Sequence, residues 1–84
     1  MADVVVYTTQ VCPYCVRAKQ LLQRKGVPYR EIDVSHDAEE RMALVRRTGQ
    51  RTVPQIFINE QPVGGCDELY ALERAGQLDV LLSA

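Results

Sequence analysis

The sequence contains no tryptophan, one phenylalanine, one histidine and only three cysteines among its 84 residues. Three cysteines exclude a disulfide-dense scaffold, because at most one disulfide can close within the chain. Five glycines and four prolines exclude a collagen-like chain. Ten Lys and Arg against eleven Asp and Glu give a net charge of −1, so there is no basic field to attract a nucleic acid.

Long hydrophobic runs are missing as well. No stretch approaches the roughly 20 apolar residues of a membrane span, and we expect no membrane partner. The first seven residues lack the basic region and the apolar run of about 7–15 residues that a signal peptide needs. The sequence therefore predicts a cytoplasmic protein, and in that reducing compartment a C-x-x-C is more often redox-active or metal-binding than structural.

A hydrophobic fraction of 46% in so short a chain predicts one compact domain over residues 1–84. Patterning predicts the element order β-α-β-α-β-β-α. The strands are expected at 4–7, 28–34, 53–58 and 61–63. The helices are expected at 13–25, over about eleven residues between a cap within 35–37 and Gly49, and from about 67 to 76, with a further turn at 78–82. A parallel first pair and a final hairpin would give a four-stranded mixed sheet with helices on both faces, an α/β architecture.

Two details of the predicted helices depend on single residues. The second helix is expected to bury its apolar positions Ala38, Met42 and Val45. The third is expected to begin at Asp67, a favourable N-cap residue.

The segment Cys12-Pro13-Tyr14-Cys15 carries the clearest chemistry. Pro13 suits the first position of a helix, so Cys12 becomes the cap and Cys15 lies one turn further on the same face, close enough for a reversible disulfide. An ordinary thiol is only about 3% thiolate at pH 7, and a helix N-terminus lowers the pKa of a cysteine placed there. Free amides of Tyr14 and Cys15 are candidate donors to the Cys12 sulfur. Cys12, which faces solvent, is the predicted nucleophile, and Cys15 the resolving thiol.

Two other interpretations of this pair remain open from the residues alone. A zinc site would have to be completed by Cys66 and His36, because the chain has no second C-x-x-C. An inert buried pair is the other, and the helix-cap turn formed by Pro13 and Tyr14 disfavours it.

Thr52-Val53-Pro54 precedes an apolar strand. Pro54 is either a plain strand-entry residue or the second residue of a cis bond that leaves the Val53 backbone free to pair with an extended substrate. The sequence by itself allows both.

The segment Gly64-Gly65-Cys66-Asp67 precedes the last long helix. It is either a turn with a cap or a helix N-terminus whose exposed amides suit a carboxylate. Cys66 is expected to be a small buried residue and not a third reactive thiol.

Taken together, these three segments, in this order and spacing, resemble the dithiol glutaredoxins of the bacterial glutaredoxin 3 type, over residues 4–82. The resemblance implies a thioredoxin-like fold and a glutathione-dependent thiol–disulfide oxidoreductase that reduces protein disulfides and glutathione mixed disulfides. It implies glutathione as co-substrate, no tightly bound cofactor and no metal. The implied partners are glutathione and disulfide-containing or glutathionylated proteins, with ribonucleotide reductase as one candidate, and the implied state is a monomer.

The resemblance also assigns roles. Cys12 is implied to be the nucleophile, Cys15 the resolving thiol, and the bond before Pro54 cis. Glutathione would lie across Tyr14 and pair with Val53, and its γ-glutamyl carboxylate would lie at the last helix. The glutathione-binding residues so implied are Tyr14, Arg41, Thr52, Val53, Pro54, Cys66 and Asp67, with Arg41 near the glycyl carboxylate. Where such proteins usually carry a lysine, three residues before the first cysteine, this chain has Thr9, and Arg41 or Arg51 could replace that charge.

Two rivals within the resemblance differ in chemistry. A thioredoxin-like redoxin would be reduced by a flavoprotein reductase, and the absence of tryptophan and of Gly-Pro between the cysteines argues against it. An iron–sulfur carrier would hold a [2Fe–2S] cluster with Cys12 and glutathione from two protomers. Pro13 argues against that reading, since cluster-binding members usually lack this proline.

Overall fold

The computed structural model describes residues 2–83. The strands are β1 (Val4–Thr8), β2 (Arg30–Asp33), β3 (Gln55–Ile58) and β4 (Gln61–Gly64), and the helices are α1 (Pro13–Arg24), α2 (Ala38–Thr48), α3 (Cys66–Arg74) and α4 (Leu78–Leu82). The predicted element order is confirmed, including the short final helix. None of the helices in this part of the chain combines the length and apolarity needed to cross a membrane.

The four strands form one sheet in the order β2-β1-β3-β4. β1 pairs parallel with β2 and antiparallel with β3, and β3 pairs antiparallel with β4 across a tight turn at Asn59 and Glu60. β1 is central and all five of its residues are buried. Its uninterrupted β-branched sequence reflects that position, since a strand covered on both faces has no reason to alternate polar and apolar residues.

Helices cover both faces of the sheet, as predicted. Val4 and Val6 point to one face, where α1, α3 and α4 supply the buried leucines, chiefly Leu22, Leu69 and Leu78. The other face carries a smaller cluster of Val5, Tyr7, Val34, Leu44 and Phe57, to which α2 contributes Leu44. Each fully buried aliphatic side chain contributes roughly 1.5–3 kcal/mol, so the larger cluster provides most of the hydrophobic stabilisation.

The predicted buried positions of α2 are wrong. Leu44 is the buried residue of this helix, while Ala38 is exposed, Met42 is 52% exposed and Val45 is half-buried. Apolar residues lie on more than one face of α2, and only its contact with the sheet decides which face is buried. The ends of the helix agree with the prediction, because Asp37 caps it and Gly49 ends it in the left-handed conformation.

The predicted start of α3 is also wrong, by one residue. The helix begins at Cys66 and Gly65 is its N-cap, so Asp67 lies inside the first turn. Gly65 has no side chain to accept a hydrogen bond, and the cap is built by Glu68, whose Oε1 accepts from the Gly65 N–H at 2.7 Å. A carboxylate in the first turn satisfies one free donor and matches the helix dipole.

The C-terminal end of α1 is tied to the last two helices by Lys25. Its Nζ lies 2.7 Å from Glu73 Oε1 and 2.9 Å from Asp79 Oδ1. These two carboxylates raise the pKa of Lys25 above its ordinary value, chiefly through hydrogen bonding. The bridge fixes α1 against α3 and α4, whose packing brings the starts of α1, α3 and β3 to one edge of the molecule.

Candidate active site

Cys12 and Cys15 are joined by a disulfide, with their Cα atoms 5.1 Å apart. Cys12 is the N-cap residue of α1, in extended backbone, and Pro13 occupies the first position of the helix. Cys12 is half-buried, whereas Cys15 is 1% exposed. An incoming thiolate or disulfide therefore reaches the sulfur of Cys12 and not that of Cys15, as the predicted roles require.

The electrostatic setting of Cys12 favours a negative charge. The backbone N–H of Cys15 donates to Cys12 Sγ at 3.0 Å, and no acidic residue lies in the first turn of α1. Of the two backbone amides predicted as donors to this sulfur, that of Cys15 makes the hydrogen bond in the structure. Within residues 2–83 one contact opposes this charge: the carbonyl oxygen of Val53 lies 3.6 Å from the same sulfur and can accept only from a protonated thiol.

A groove of about 430 Å³ opens beside the disulfide. Six of the residues named from the sequence line it: Tyr14, Thr52, Val53, Pro54, Cys66 and Asp67. Tyr14 is 55% exposed, and the guanidinium of Arg17 lies 5.7 Å from the centre of its ring. The tyrosine thus forms a half-open aromatic wall next to the reactive sulfur.

The loop before β3 forms a second wall. The Val53–Pro54 bond is cis, as the resemblance implied, and Pro54 is buried. β3 begins only at Gln55, two residues later than predicted, so Val53 lies outside the strand ladder. Within residues 2–83 the N–H of Val53 has no hydrogen-bond acceptor.

The start of α3 completes the lining. Cys66 is 4% exposed, and burial raises the pKa of its thiol. A buried, protonated thiol is a poor nucleophile, so the expectation that Cys66 is a small buried residue is confirmed. Asp67 is exposed at the same edge, and the first turn of α3 lies along the groove.

The structure does not bring every predicted residue to this groove. Arg41 is half-buried on α2 and does not line it, and Thr9 is half-buried in the loop between β1 and α1. His36 is exposed at the turn before α2, on a different element from the cysteines. In the described part of the chain, no three His, Cys, Asp or Glu side chains are grouped so that they could hold a metal ion.

Three residues that line the groove were not among the predicted site residues: Gln50, Gly65 and Glu68. Gly65 belongs to the paired glycines for which the sequence left a close backbone approach open, and a Cβ added to it would lie only 3.3 Å from the carbonyl oxygen of Pro54. Glu68 could have been found as the acid three residues after a cap, the spacing of a capping box. Gln50 carries no local signal, because only the packing of its loop against β3 turns it toward the groove.

The sheet order and the cysteine pair together define a class. A four-stranded mixed sheet that carries, at the start of its first helix, two cysteines able to close a disulfide is the framework of a thiol–disulfide oxidoreductase with a thioredoxin-like fold.

Comparison with known proteins narrows the class to a family. The glutaredoxin family model matches residues 4–63. The chain is 63% identical to a glutaredoxin of Pseudomonas aeruginosa over 84 residues, covering 100% of both chains. It is 52% identical to glutaredoxin 3 of Escherichia coli K12 over 82 residues, covering 98% of this chain and 99% of the relative. The chain therefore belongs to the glutaredoxin family.

Solved structures agree. A buckwheat glutaredoxin–glutathione complex superposes with a TM-score of 0.91 at 35% identity, over 98% of this chain and 77% of that one. A glutaredoxin from Brucella melitensis superposes with a TM-score of 0.88 at 56% identity, over 98% and 89%. These similarities confirm the family and the fold that the three sequence segments indicated.

Proposed function

We propose that the protein uses glutathione to reduce protein disulfides and glutathione mixed disulfides. The observation that carries the proposal is the groove beside Cys12, with an aromatic wall, a free backbone donor and a helix N-terminus along its lining. A small peptide with a thiol and free carboxylates matches those features. The buckwheat relative that superposes over 98% of this chain was solved as a complex with glutathione.

The first step belongs to Cys12. Its thiolate attacks one sulfur of the substrate disulfide, a new S–S bond forms to Cys12, and the other sulfur leaves as a thiolate. For a glutathionylated protein, the sulfur attacked is that of glutathione, and the protein thiol is released. The backbone N–H of Cys15 stabilises the attacking anion.

Two routes then restore Cys12. A second glutathione thiolate attacks the Cys12–glutathione disulfide, and glutathione disulfide leaves with Cys12 reduced. With a protein disulfide as substrate, the thiolate of Cys15 attacks the sulfur of Cys12, the reduced protein leaves, and the Cys12–Cys15 disulfide remains. Two glutathione molecules then reduce that disulfide and become one molecule of glutathione disulfide.

Binding of glutathione uses the three walls of the groove. Its cysteinyl backbone would pair with the free N–H of Val53, in the manner of an added strand. Tyr14 would pack against the peptide, and Thr52 and Pro54 would shape the loop that receives it. These contacts bring the sulfur of the peptide to the sulfur of Cys12.

The γ-glutamyl end would bind at the start of α3. The first-turn amides at Cys66 and Asp67 suit its carboxylate, and the exposed carboxylate of Asp67 suits its ammonium group. Arg41 would approach the glycyl carboxylate only from outside the groove lining, at the edge of α2.

We place the protein in the cytoplasm, because a thiolate that glutathione regenerates needs a reducing compartment. We propose that it acts there as a monomer. Its protein partners would be disulfide-containing or glutathionylated proteins, with ribonucleotide reductase as one candidate.

The test is the turnover of a small glutathionylated disulfide with glutathione as reductant. The Cys12→Ser variant is expected to be inactive, and Cys15→Ser to keep substantial activity, because glutathione replaces the internal thiol as the resolving nucleophile. Cys66→Ser is the matched control and is expected to behave as wild type, since its thiol is buried. An inactive wild-type protein that a flavoprotein reductase can reduce would contradict the proposal and favour the thioredoxin-like redoxin.

A further inference from the structure

Gln55 is a polar side chain in a place that normally excludes one. It is 1% exposed, in a strand whose four residues are all buried. A buried amide is costly unless its hydrogen bonds are made. The side-chain nitrogen of Gln55 makes them to the preceding loop: to the carbonyl oxygen of Thr52 at 2.9 Å, to Gln50 Oε1 at 3.1 Å and to Thr52 Oγ1 at 3.3 Å.

These contacts determine how both amides are oriented. The Thr52 carbonyl can only accept, so the Gln55 atom 2.9 Å from it must be the NH₂ nitrogen. That nitrogen can only donate, so the Gln50 atom 3.1 Å from it must be the oxygen. The NH₂ group of Gln50 is therefore the end that Gln55 leaves free.

The backbone of Gln50 is held too. Thr48 Oγ1 accepts from the Gln50 N–H at 3.1 Å and lies 3.3 Å from the Gln50 carbonyl oxygen. The side chain of Gln50 lines the groove, and among residues 2–83 its NH₂ group has no acceptor. The loop thus presents an oriented and unused donor to whatever occupies the groove.

A hydrogen-bond donor at this position would offset the negative charge of the groove lining. The lining of the groove contains two carboxylates, Asp67 and Glu68, and no lysine or arginine. The amides of α3 can serve one carboxylate of a ligand. Among the lining residues, only neutral donors are available to a second carboxylate, and the Gln50 NH₂ group is a side-chain donor whose orientation is already set.

We propose that Gln50 binds the C-terminal carboxylate of the peptide in the groove, and that Gln55 is a positioning residue that acts through Gln50. The inference rests on the proposed function, because glutathione is the ligand that would supply the carboxylate. It assigns a binding role to one residue outside the motifs and to a second residue that the ligand never touches.

The first test separates KM from kcat in the turnover of a small glutathionylated disulfide. Gln50→Ala is expected to raise KM about three- to tenfold, the loss of one hydrogen bond, with kcat within about twofold of wild type. Gln50→Glu is expected to raise KM further, because a carboxylate repels the ligand while still accepting from Gln55. An unchanged KM in both variants would overturn the role of Gln50.

The second test asks which end of the peptide Gln50 binds. The measurement is repeated with the corresponding mixed disulfide of γ-glutamylcysteine, which lacks the terminal glycine. The effect of Gln50→Ala on KM is expected to shrink to less than about twofold, since the carboxylate is now one residue away. An effect as large as with the glutathione substrate would refute the assignment to the C-terminal carboxylate.

The third test is a double-mutant cycle for Gln55. Gln55→Met keeps the volume of the side chain and removes the donor, and is expected to raise KM at least as much as Gln50→Ala. In the Gln55→Met background, Gln50→Ala is expected to cost nothing more, because the free amide no longer points at the ligand. Equal effects of Gln50→Ala in both backgrounds would show that Gln55 does not act through Gln50.

A control variant distinguishes a specific effect of Gln55 on KM from an effect of lowered fold stability. Ile58→Val is a buried change at the other end of β3, 3% exposed, and should lower thermal stability without moving KM. A rise in KM for Ile58→Val as large as for Gln55→Met would mean that general loosening of the fold explains both.

A spectroscopic readout keeps the inference separate from the proposed function. If wild type fails to turn over with glutathione, the proposed function fails. Hydrogen exchange of the side-chain amides by NMR still tests the orientation, with the Gln55 protons expected to exchange slowly and those of Gln50 quickly. Fast exchange at Gln55 would overturn the positioning role, whatever the activity.

Discussion

Cys15→Ser isolates the ionisation of Cys12, and its outcome can be worked out from the contacts of one sulfur. The substitution keeps the backbone N–H of residue 15, which donates to Cys12 Sγ at 3.0 Å. With Cys66 also changed to Ser, Cys12 is the one thiol left to titrate. The expected result is that a much larger fraction of Cys12 than of a free thiol is thiolate at neutral pH.

The magnitude follows from three terms. A free thiol is about 3% thiolate at pH 7, so at that pH the thiolate lies about 2 kcal/mol above the protonated thiol in free energy. The hydrogen bond from the Cys15 N–H to the charged sulfur stabilises the thiolate by about 1.5–3 kcal/mol, and the helix dipole stabilises it by about 0.3–1 kcal/mol. The Val53 carbonyl, 3.6 Å from the sulfur, favours the protonated thiol by about 0.5 kcal/mol, the low end for a hydrogen bond. The sum predicts that between about a quarter and nine-tenths of Cys12 is ionised at pH 7, against about 3% for a free thiol.

The assay is the ultraviolet absorbance of the thiolate as a function of pH, together with the rate of alkylation by iodoacetamide. Val16 provides a matched pair of perturbations, because it is 48% exposed in the first turn of α1, where no acid is present. Val16→Glu should lower the thiolate-to-thiol ratio about two- to fivefold, and Val16→Lys should raise it by a similar factor. A thiolate fraction near 3% that neither variant changes would refute the reasoning.

Two further predictions concern groups outside the reacting pair. In the reduced protein, Cys66 should be alkylated far more slowly than Cys12, because burial raises the pKa of its thiol; peptide mass spectrometry measures this, and equal rates would contradict it. Lys25→Met should lower the melting temperature by removing the bridges to Glu73 and Asp79. Because the folded pKa of Lys25 lies above its ordinary value of 10.5, the stabilisation is complete below that pH and is lost as pH rises through the folded pKa. The difference in melting temperature between wild type and Lys25→Met should therefore narrow in strongly alkaline buffer, and a constant difference would count against the ion pairs.

Local sequence determined the elements that begin and end with strong signals. α1 could be predicted because Pro13 stands at its first position and Gly26 follows its end, and both act through neighbouring backbone dihedrals. β1 could be predicted because an uninterrupted β-branched run fits a strand covered on both faces. These signals are local, so no knowledge of the rest of the chain was needed.

The errors occurred where a choice depended on a partner. Met42 and Leu44 are both apolar residues of α2, and contact with the sheet buries Leu44 while leaving Met42 exposed. Asp67 is a good cap by type, but Glu68 reaches the Gly65 amide and moves the start of α3. Arg41 lies on α2 and is not among the residues that line the groove, and its role toward the glycyl carboxylate stays a prediction.

The sequence by itself determined the element order, the mixed sheet and the redox pair, because spacing along a helix places Cys12 and Cys15 together whatever surrounds them. The tertiary structure alone decided the surroundings of that pair. It set the Val53 carbonyl beside Cys12, brought the start of α3 across from Tyr14, and placed the buried Gln55 within hydrogen-bond distance of Gln50 at the groove. Those contacts join residues distant along the chain or on separate elements, and such distances are fixed only when the helices pack on the sheet.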